Sequence, residues 1–188
     1  MKKITLFIMS ILLFLSSGLV FAPKASAAIA GDIIITKDTN PGMSGKGIVG
    51  HTGIYINKTT ILHTSGRKKE PWPKRISESK WHERYKQSKV IRPKSAALGK
   101  KAAKMAQNYF EGKHIPYNIP KASLYKLKYT YCSQLVWHSY MKAGKEYKIF
   151  YQSVNQMKWI VPGIIKPYDY IDPATVDYNG FKFIDKKW

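Results

Sequence analysis

The sequence predicts an α+β domain in which an antiparallel sheet packs against helices. Its 188 residues are 44% hydrophobic and 13% aromatic, enough for one well-packed domain and too few for two. Short β-branched runs on either side of turn residues predict strands and a hairpin. Two longer stretches with apolar residues at helical spacing predict helices. We find no internal repeat and no low-complexity linker in the sequence.

The first half of the domain is expected to be mostly strands. Residues 31–36 (GDIIIT) form a β-branched run, and the glycine-rich segment 39–50 is long enough for a loop that borders a site. Two apolar runs around 57–60 predict a hairpin. The elements expected here are strands at 31–36, 51–56, 61–65 and 88–92 and a short helix at 77–86.

The second half contains the two longer predicted helices. Residues 95–110 have apolar side chains at helical spacing and a lysine-rich opposite face. A connector rich in proline, tyrosine and lysine follows at 113–131, before a helix at 132–143 that ends at Gly144. The tail has strand-like stretches at 159–165 and 175–184.

The first 27 residues are predicted to be a secretory signal peptide. Two lysines precede the apolar run 4–22, which is followed by Pro23 and the small-residue tripeptide 25–27. This order is typical of an exported protein whose signal is cleaved after an A-x-A site. An uncleaved membrane anchor is the alternative, because the apolar run is nearly long enough to span a bilayer. We expect residues 28–188 to form a single exported domain.

A large positive charge belongs to the exported part of the chain. Removal of residues 1–27 takes away three lysines and no acidic residue, which leaves +18 of the formal charge of +21. Such a charge indicates polyanionic surroundings, for example anionic cell-wall polymers, or else a solubilising surface. The sequence has no CxxC pair, no phosphate-loop pattern and no nucleic-acid motif, so zinc fingers, disulfide scaffolds and nucleic-acid binding are not expected.

The only cysteine, Cys132, is a candidate nucleophile. It begins the predicted helix 132–143, and a helix N-terminus stabilises negative charge and lowers the pKa of a thiol. Leu135, Val136 and Tyr140 follow on the same face of that helix. The position therefore also suits a buried, inert cysteine.

A thiol nucleophile needs a base, and five histidines are available. His82 lies in a charged segment, His114 lies in a loop, and His138 points away from Cys132 on the same helix. We expect these three to be solvated or simply packed. His51 lies between two glycines at the start of a strand, and His63 lies on the neighbouring strand.

The length of the hairpin turn decides whether His51 and His63 share a face of the sheet. An even-numbered turn at 57–60 places them on opposite faces. A three-residue turn at 57–59 pairs Gly53 with His63 and makes the histidines diagonal neighbours, roughly 7–8 Å apart. The sequence leaves both registers open.

Several short segments carry a family resemblance. Segments 50–56 (GHTGIYI) and 61–65 (ILHTS) resemble the base-bearing hairpin of NlpC-type, papain-like cysteine peptidases of bacterial cell walls. Segment 131–136 (YCSQLV) resembles the nucleophile helix of that family, and 112–117 (GKHIPY) resembles the segment that supplies a tyrosine. Because the histidines precede the cysteine, the order looks like that of the circularly permuted YiiX/YebB-like branch.

The resemblance implies a papain-like fold and a role for each site residue. Cys132 would be the nucleophile, His51 its base and His63 the residue that orients the base. Tyr117 and Ser133 would help to hold the oxyanion or the substrate, together with backbone N–H groups at the start of the cysteine helix. No metal and no cofactor are expected.

The function expected on these grounds is a monomeric, secreted and wall-associated thiol hydrolase that cleaves an amide bond of wall stem peptides. One alternative is an amidase or acyltransferase that acts on amide- or ester-containing lipids. Another is a non-catalytic protein that binds anionic wall polymers and has an inert cysteine. A third is a catalytic zinc site built from His51, His63 and Cys132.

Overall fold

The computed structural model describes residues 27–39 and 50–185, and an antiparallel sheet organises them. Within these residues there are eight strands: β1 (Ile33–Thr36), β2 (His51–Tyr55), β3 (Thr60–His63), β4 (Lys74–Ser77), β5 (Ser88–Pro93), β6 (Ile149–Ser153), β7 (Gln156–Ile160) and β8 (Phe181–Asp185). Six of them form one sheet in the order β4-β3-β2-β1-β5-β8, with every neighbouring pair antiparallel. Residues 1–26 of the predicted signal peptide and 40–49 of the predicted loop lie outside the described residues.

Four α-helices pack around this sheet in the described part of the chain: α1 (Glu78–Arg84), α2 (Ala96–Phe110), α3 (Cys132–Ala143) and α4 (Pro173–Tyr178). The side chains of Ser77, Ser95 and Asp172 accept hydrogen bonds from the first turns of α1, α2 and α4. Helix α3 ends at Gly144, whose φ of 103° closes the helix in the left-handed conformation. None of the described helices is both long and apolar enough to cross a bilayer.

The two faces of the sheet have different cores. One face packs against α2 and α3, and its cluster includes Ile54 and Leu62 from the sheet and Leu135 from α3. The opposite face packs against α1, where Tyr55 meets the buried Trp81. The structure therefore confirms the predicted α+β fold, an antiparallel sheet packed against helices.

The β2–β3 hairpin has the register of the three-residue turn. Ile54 pairs with Leu62, and the backbone N–H of Ile56 donates to the carbonyl of Thr60 over 2.9 Å. A side chain at Gly53 would place its Cβ 2.6 Å from Ile61 Cγ2 and 3.2 Å from His63 Cβ. Glycine at this position thus allows β3 to approach closely and to present His63 beside His51.

Two predicted strands in the tail differ from the structure. Residues 175–184 were expected to be strand-like, but the first part of this segment lies in α4, because Asp172 caps that helix and Pro173 occupies its first turn. The strand expected at 159–165 ends at Ile160, two residues before Pro162. Strands β4 and β6 were not predicted. Strand β4 is a charged edge strand with one buried residue, Ile76, so it lacks a hydrophobic signal.

Strands β6 and β7 form a separate two-stranded hairpin outside the main sheet. Ile149 pairs with Ile160 at its base, and Ser153 pairs with Gln156 next to its tip. Most of its residues are exposed.

Candidate active site

The thiol of Cys132 lies at the first residue of α3 and is almost fully buried. The backbone N–H groups of Thr52 and Ser133 and the hydroxyl of Tyr117 are its hydrogen-bonding partners. Its Sγ lies 3.7 Å from Oγ of Ser133. The N-cap residue, Tyr131, makes no side-chain capping bond, so the first N–H groups of α3 receive no acceptor from it. An oxyanion could therefore be bound here.

Burial controls the protonation of this thiol. It raises the pKa of Cys132 above its ordinary value, and the hydrogen bonds from Ser133, Thr52 and Tyr117 lower the pKa only in part. Burial therefore outweighs the lowering of the thiol pKa expected from the helix N-terminus. A helix terminus contributes about 0.3–1 kcal/mol, which is less than the cost of ionising a buried group. Burial thus favours the protonated thiol over the thiolate.

The two predicted histidines form a buried hydrogen-bonded pair. Nε2 of His51 lies 2.9 Å from Nδ1 of His63. The ring of His51 stacks on Trp81 with 5.3 Å between centroids, and Tyr85 covers it from another side. Because Nε2 of His51 is engaged by His63, Nδ1 is the nitrogen left to accept a proton.

Burial keeps both imidazoles neutral at neutral pH. It lowers the pKa of His51 well below the ordinary value, with a further lowering by the nearby charge of His63. Burial also lowers the pKa of His63 to about 4, while the negative charge of Glu70 acts in the opposite direction. A neutral imidazole has the lone pair that a general base requires.

An ion pair of Glu70 and Arg84 lies near the histidine pair. Glu70 accepts two hydrogen bonds from Arg84, at 2.9 and 2.8 Å, and one from the hydroxyl of Ser65 at 2.7 Å. These bonds lower the pKa of Glu70 to about 2, with the Arg84 bond the largest cause. Glu70 is therefore ionised, and its charge stabilises a cation on the histidines.

Sequence reasoning did not find Glu70, Arg84, Trp81 or Tyr85. They come from the charged segment 66–86. Most of its residues are exposed, so the few buried ones form no recognisable pattern in the sequence. The only sequence signal was Glu70 itself, a single acid that follows Arg-Lys-Lys shortly after the histidine strand.

Strand β2 connects the histidine pair to the surroundings of Cys132. His51 faces Trp81 and His63, whereas the N–H of the next residue, Thr52, is directed to the sulfur of Cys132. The start of β2 thus brings the imidazole pair to the N-terminus of α3. The roles of nucleophile, base and orienting residue remain predictions for Cys132, His51 and His63.

Tyr117 lies beside the thiol and its hydroxyl is hydrogen-bonded to the sulfur, while its role at an oxyanion stays a prediction. Its ring packs on Gly66, where an added Cβ would lie 2.7 Å from Tyr117 Cδ1. Gly66 has a φ of 65°, a conformation that also favours glycine. Burial raises the pKa of Tyr117, so its hydroxyl stays protonated and can donate to sulfur or to an oxyanion.

An apolar cavity of about 240 Å³ opens onto the thiol. The residues around it come from the connector, the start of α3 and the segment after β7: Tyr117, Ile119, Tyr131, Cys132, Ser133, Ile164, Ile165, Lys166, Pro167 and Tyr168. The hydroxyl of Tyr131 accepts a hydrogen bond from the N–H of Ile165 at 3.1 Å, which fixes one wall. The lining suits an apolar group next to the reacting carbonyl.

The other three histidines lie away from these residues. Nδ1 of His138 lies 2.8 Å from the carbonyl oxygen of Leu124, and His114 stacks on Trp72. His82 is exposed on α1.

The fold places this site in a known structural class. A crystal structure of the metalloprotein YiiX from Escherichia coli O157:H7 matches with a TM-score of 0.59 at 19% identity, over 86% of this chain and 99% of that chain. The fold is therefore the papain-like fold of YiiX. No curated protein matches the chain.

A family assignment follows from the sequence. The family model described as lipoprotein N-acylation protein LnsA-like matches residues 4–182, so the chain belongs to this family. The assignment to a circularly permuted branch stays a prediction.

The metal in the description of YiiX raises the question of whether the residues here fit one. In the part of the chain that the structure describes, no group of three or more His, Cys, Asp or Glu side chains could hold a metal ion. His51 and His63 bind each other through ring nitrogens, and the neighbours of Cys132 are N–H and O–H donors. These residues do not fit the three-ligand zinc site that was the third alternative.

Proposed function

We propose that this protein is a thiol acyltransferase that moves an acyl chain from a lipid ester to an amine of a lipoprotein. One observation carries the proposal: a buried thiol lines an apolar cavity and is hydrogen-bonded by Thr52, the residue next to His51 of the neutral histidine pair. The family description, lipoprotein N-acylation, supports a nitrogen as the acceptor. The lipid-directed alternative is thereby favoured over the stem-peptide hydrolase.

The first half-reaction would form an acyl-enzyme. Nδ1 of His51 takes the thiol proton while Sγ of Cys132 attacks the carbonyl carbon of the lipid ester. The oxyanion is held by N–H groups at the start of α3 and by the hydroxyl of Tyr117. The C–O bond then breaks, the alkoxide leaves with the proton from His51, and the acyl group remains on sulfur as a thioester.

The second half-reaction would return the enzyme to its starting state. The neutral amine attacks the thioester carbonyl, and His51 takes a proton from the nitrogen. The C–S bond breaks and sulfur receives that proton, so the products are an amide and a free thiol. His63 accepts the Nε2–H of His51 throughout and disperses the transient positive charge toward Glu70.

The apolar lining also bears on the peptidase prediction. A stem peptide carries carboxylates and amines, which lose hydration in an apolar cavity without gaining partners. An acyl chain has no polar groups that would lose hydration, and burial of its apolar surface is favourable. Hydrolysis of a wall amide by the same residues stays a prediction that the same assay tests.

The decisive experiment is to trap the acyl-enzyme. Purified protein is incubated with a phospholipid and, separately, with a defined stem peptide, and intact mass is recorded before and after hydroxylamine. We expect an added acyl mass that hydroxylamine removes, present with the lipid and absent from Cys132→Ala. Transfer of that acyl group to a lipopeptide amine should follow. Release of amino acids from the stem peptide without any acyl-enzyme from lipid would contradict the proposal.

Export is part of the proposal, and the predicted signal peptide and the proposed lipid-linked acceptor both support a reaction outside the cytoplasmic membrane. N-terminal sequencing of the protein from the producing cell tests it. A start at Ala28 is expected, and a start at residue 1 would favour the anchor.

A further inference from the structure

We propose that the β6–β7 hairpin inserts its tip into the surface of an anionic lipid bilayer and so places the mouth of the cavity at the membrane. This inference rests on the proposed function, because it names where the acyl donor is taken up. Its evidence is the exposure of the hairpin, the charge around it and its continuity with the cavity.

The hairpin exposes several apolar side chains, whose contact with water is unfavourable. Val154 at its tip is fully exposed, Met157 is 69% exposed, and Phe150 and Tyr151 are exposed as well. A patch of this kind on one projecting element is typical of an interaction surface. Aromatic residues at the flank and aliphatic ones at the tip match the boundary between lipid head groups and acyl chains.

The hairpin is held in place from its base and not along its length. A two-stranded hairpin is marginally stable by itself. The ring of Trp159 stacks on Tyr178 of α4 at 3.7 Å and an interplanar angle of 4°, and Phe150 packs against Trp159 on the same face. The tip thus projects from an anchored base and remains available to a partner.

Lysines at the hairpin and at the cavity favour an anionic surface over a neutral one. The hairpin itself, residues 149–160, has one charged residue, Lys158, and no acid. Lys158 on β7 and Lys166 at the cavity are exposed. Lysines beside an apolar insertion element add attraction to anionic head groups.

The hairpin also continues into the cavity. Ile164 follows the end of β7 by four residues, is half-exposed and lines the cavity that contains Cys132. The base of the hairpin and the mouth of the cavity are thus close along the chain. A hairpin inserted in the membrane surface would therefore bring the cavity mouth near the bilayer.

Flotation with vesicles tests the proposal. The purified protein, as the cell produces it, is mixed with phosphatidylcholine vesicles with or without phosphatidylglycerol. We expect binding to the anionic vesicles, reduced at least about tenfold by Val154→Ser with Met157→Ser because two apolar side chains are lost. The matched control, Gln152→Ser with Asn155→Ser, alters polar residues of the same hairpin and should bind normally. Equal binding by all three proteins would overturn the proposal.

A dye reports insertion directly. Cys132→Ala removes the only thiol, so Val154→Cys in that background carries a single environment-sensitive label, and Ser79→Cys on α1 carries the control label. A blue shift is expected at position 154 with anionic vesicles and none at position 79. No shift at 154, or equal shifts at both, would overturn insertion.

Two further outcomes distinguish membrane insertion from self-association and from catalysis. A shift at 154 that depends on protein concentration without vesicles, together with a dimer in sedimentation, would assign the hairpin to self-association and overturn the proposal. Binding of Cys132→Ala to vesicles at the level of the unaltered protein is expected, since insertion does not need the thiol. Failure of the acyl-enzyme assay would therefore leave this result standing.

Discussion

The two sides of the candidate site differ in what surrounds their reactive groups. The histidine side, formed by His51, His63, Trp81, Tyr85 and Glu70, is closed, aromatic and backed by an ion pair. The thiol side, formed by Cys132, Tyr117 and the cavity, is apolar and opens outward. On the proposed function, the histidine side holds the proton acceptor in a fixed orientation and the thiol side receives the substrate.

This difference gives each side a distinct experimental signature. Changes on the histidine side should alter the rate of the chemical step and its pH dependence, with little effect on binding of the acyl donor. Changes to the cavity walls should alter the preference among acyl chains. Cys132 belongs to both the chemistry and the cavity, so its loss should have the largest effect.

The largest effect is expected for the nucleophile. Cys132→Ala should lower acyl transfer by about 10³-fold or more, because no covalent intermediate can form. The matched control is Ser139→Ala, which removes a buried heteroatom from the same helix, where Ser139 Oγ donates to the carbonyl of Leu135 over 2.7 Å. Turnover and melting temperature are measured for both. Substantial turnover by Cys132→Ala would end the thiol mechanism.

The histidine pair should come next. His51→Ala should cost nearly as much as loss of the cysteine, since the members of such a unit are not additive. His63→Asn should be milder than His63→Ala, because an amide oxygen still accepts the Nε2–H of His51. The rate of acyl-enzyme formation measures this. Equal and severe losses in both His63 variants would show that His63 acts directly on the substrate and not through His51.

The sequence predicted the parts of this arrangement that local chemistry determines. The bounds of α3, Cys132–Ala143, followed from Gly144 and from helical spacing, and the hairpin followed from its β-branched runs. The register of the histidines stayed open because both turn lengths suit the same residues. The net direction of the thiol pKa could not be predicted, because burial is a property of the packed molecule.

The same distinction explains what was missed around the histidines. Trp81 and Glu70 reach the site through the packing of α1 and of the segment before β4, which no local pattern encodes. In the tail, the first part of the strand-like segment 175–184 forms the end of α4, because Asp172 caps that helix and Pro173 occupies its first turn.

A moderate effect is expected for the carboxylate behind the pair. Glu70→Gln removes the charge that raises the pKa of His63, so a cation on the histidines becomes less favourable. We expect acyl-enzyme formation to slow by about tenfold, equivalent to one pKa unit. Glu83→Gln, an exposed acid on α1, is the control and should leave the rate unchanged. If the two variants behave alike, the ion pair of Glu70 with Arg84 only supports the fold.

The smallest effect concerns the free energy of unfolding. Its pH dependence should come from the histidine side of the site and not from the thiol side. Burial holds the pKa of folded His63 at about 4, below its ordinary value of 6.5, and also lowers that of His51. Between pH 6.5 and about 4 the unfolded chain therefore binds more protons than the folded one. Stability from these groups is complete above pH 6.5 and decreases as the pH falls, with a slope of about 1.4 kcal/mol per pH unit for each histidine.

Urea unfolding at several pH values between 6.5 and 5 measures that slope. His63→Asn should flatten it, because one of the two buried imidazoles is gone. Cys132→Ala should leave the slope unchanged, since burial raises the thiol pKa further away from this pH range. An unchanged slope in His63→Asn would mean that the histidine side is hydrated, and its contrast with the thiol side would then be lost.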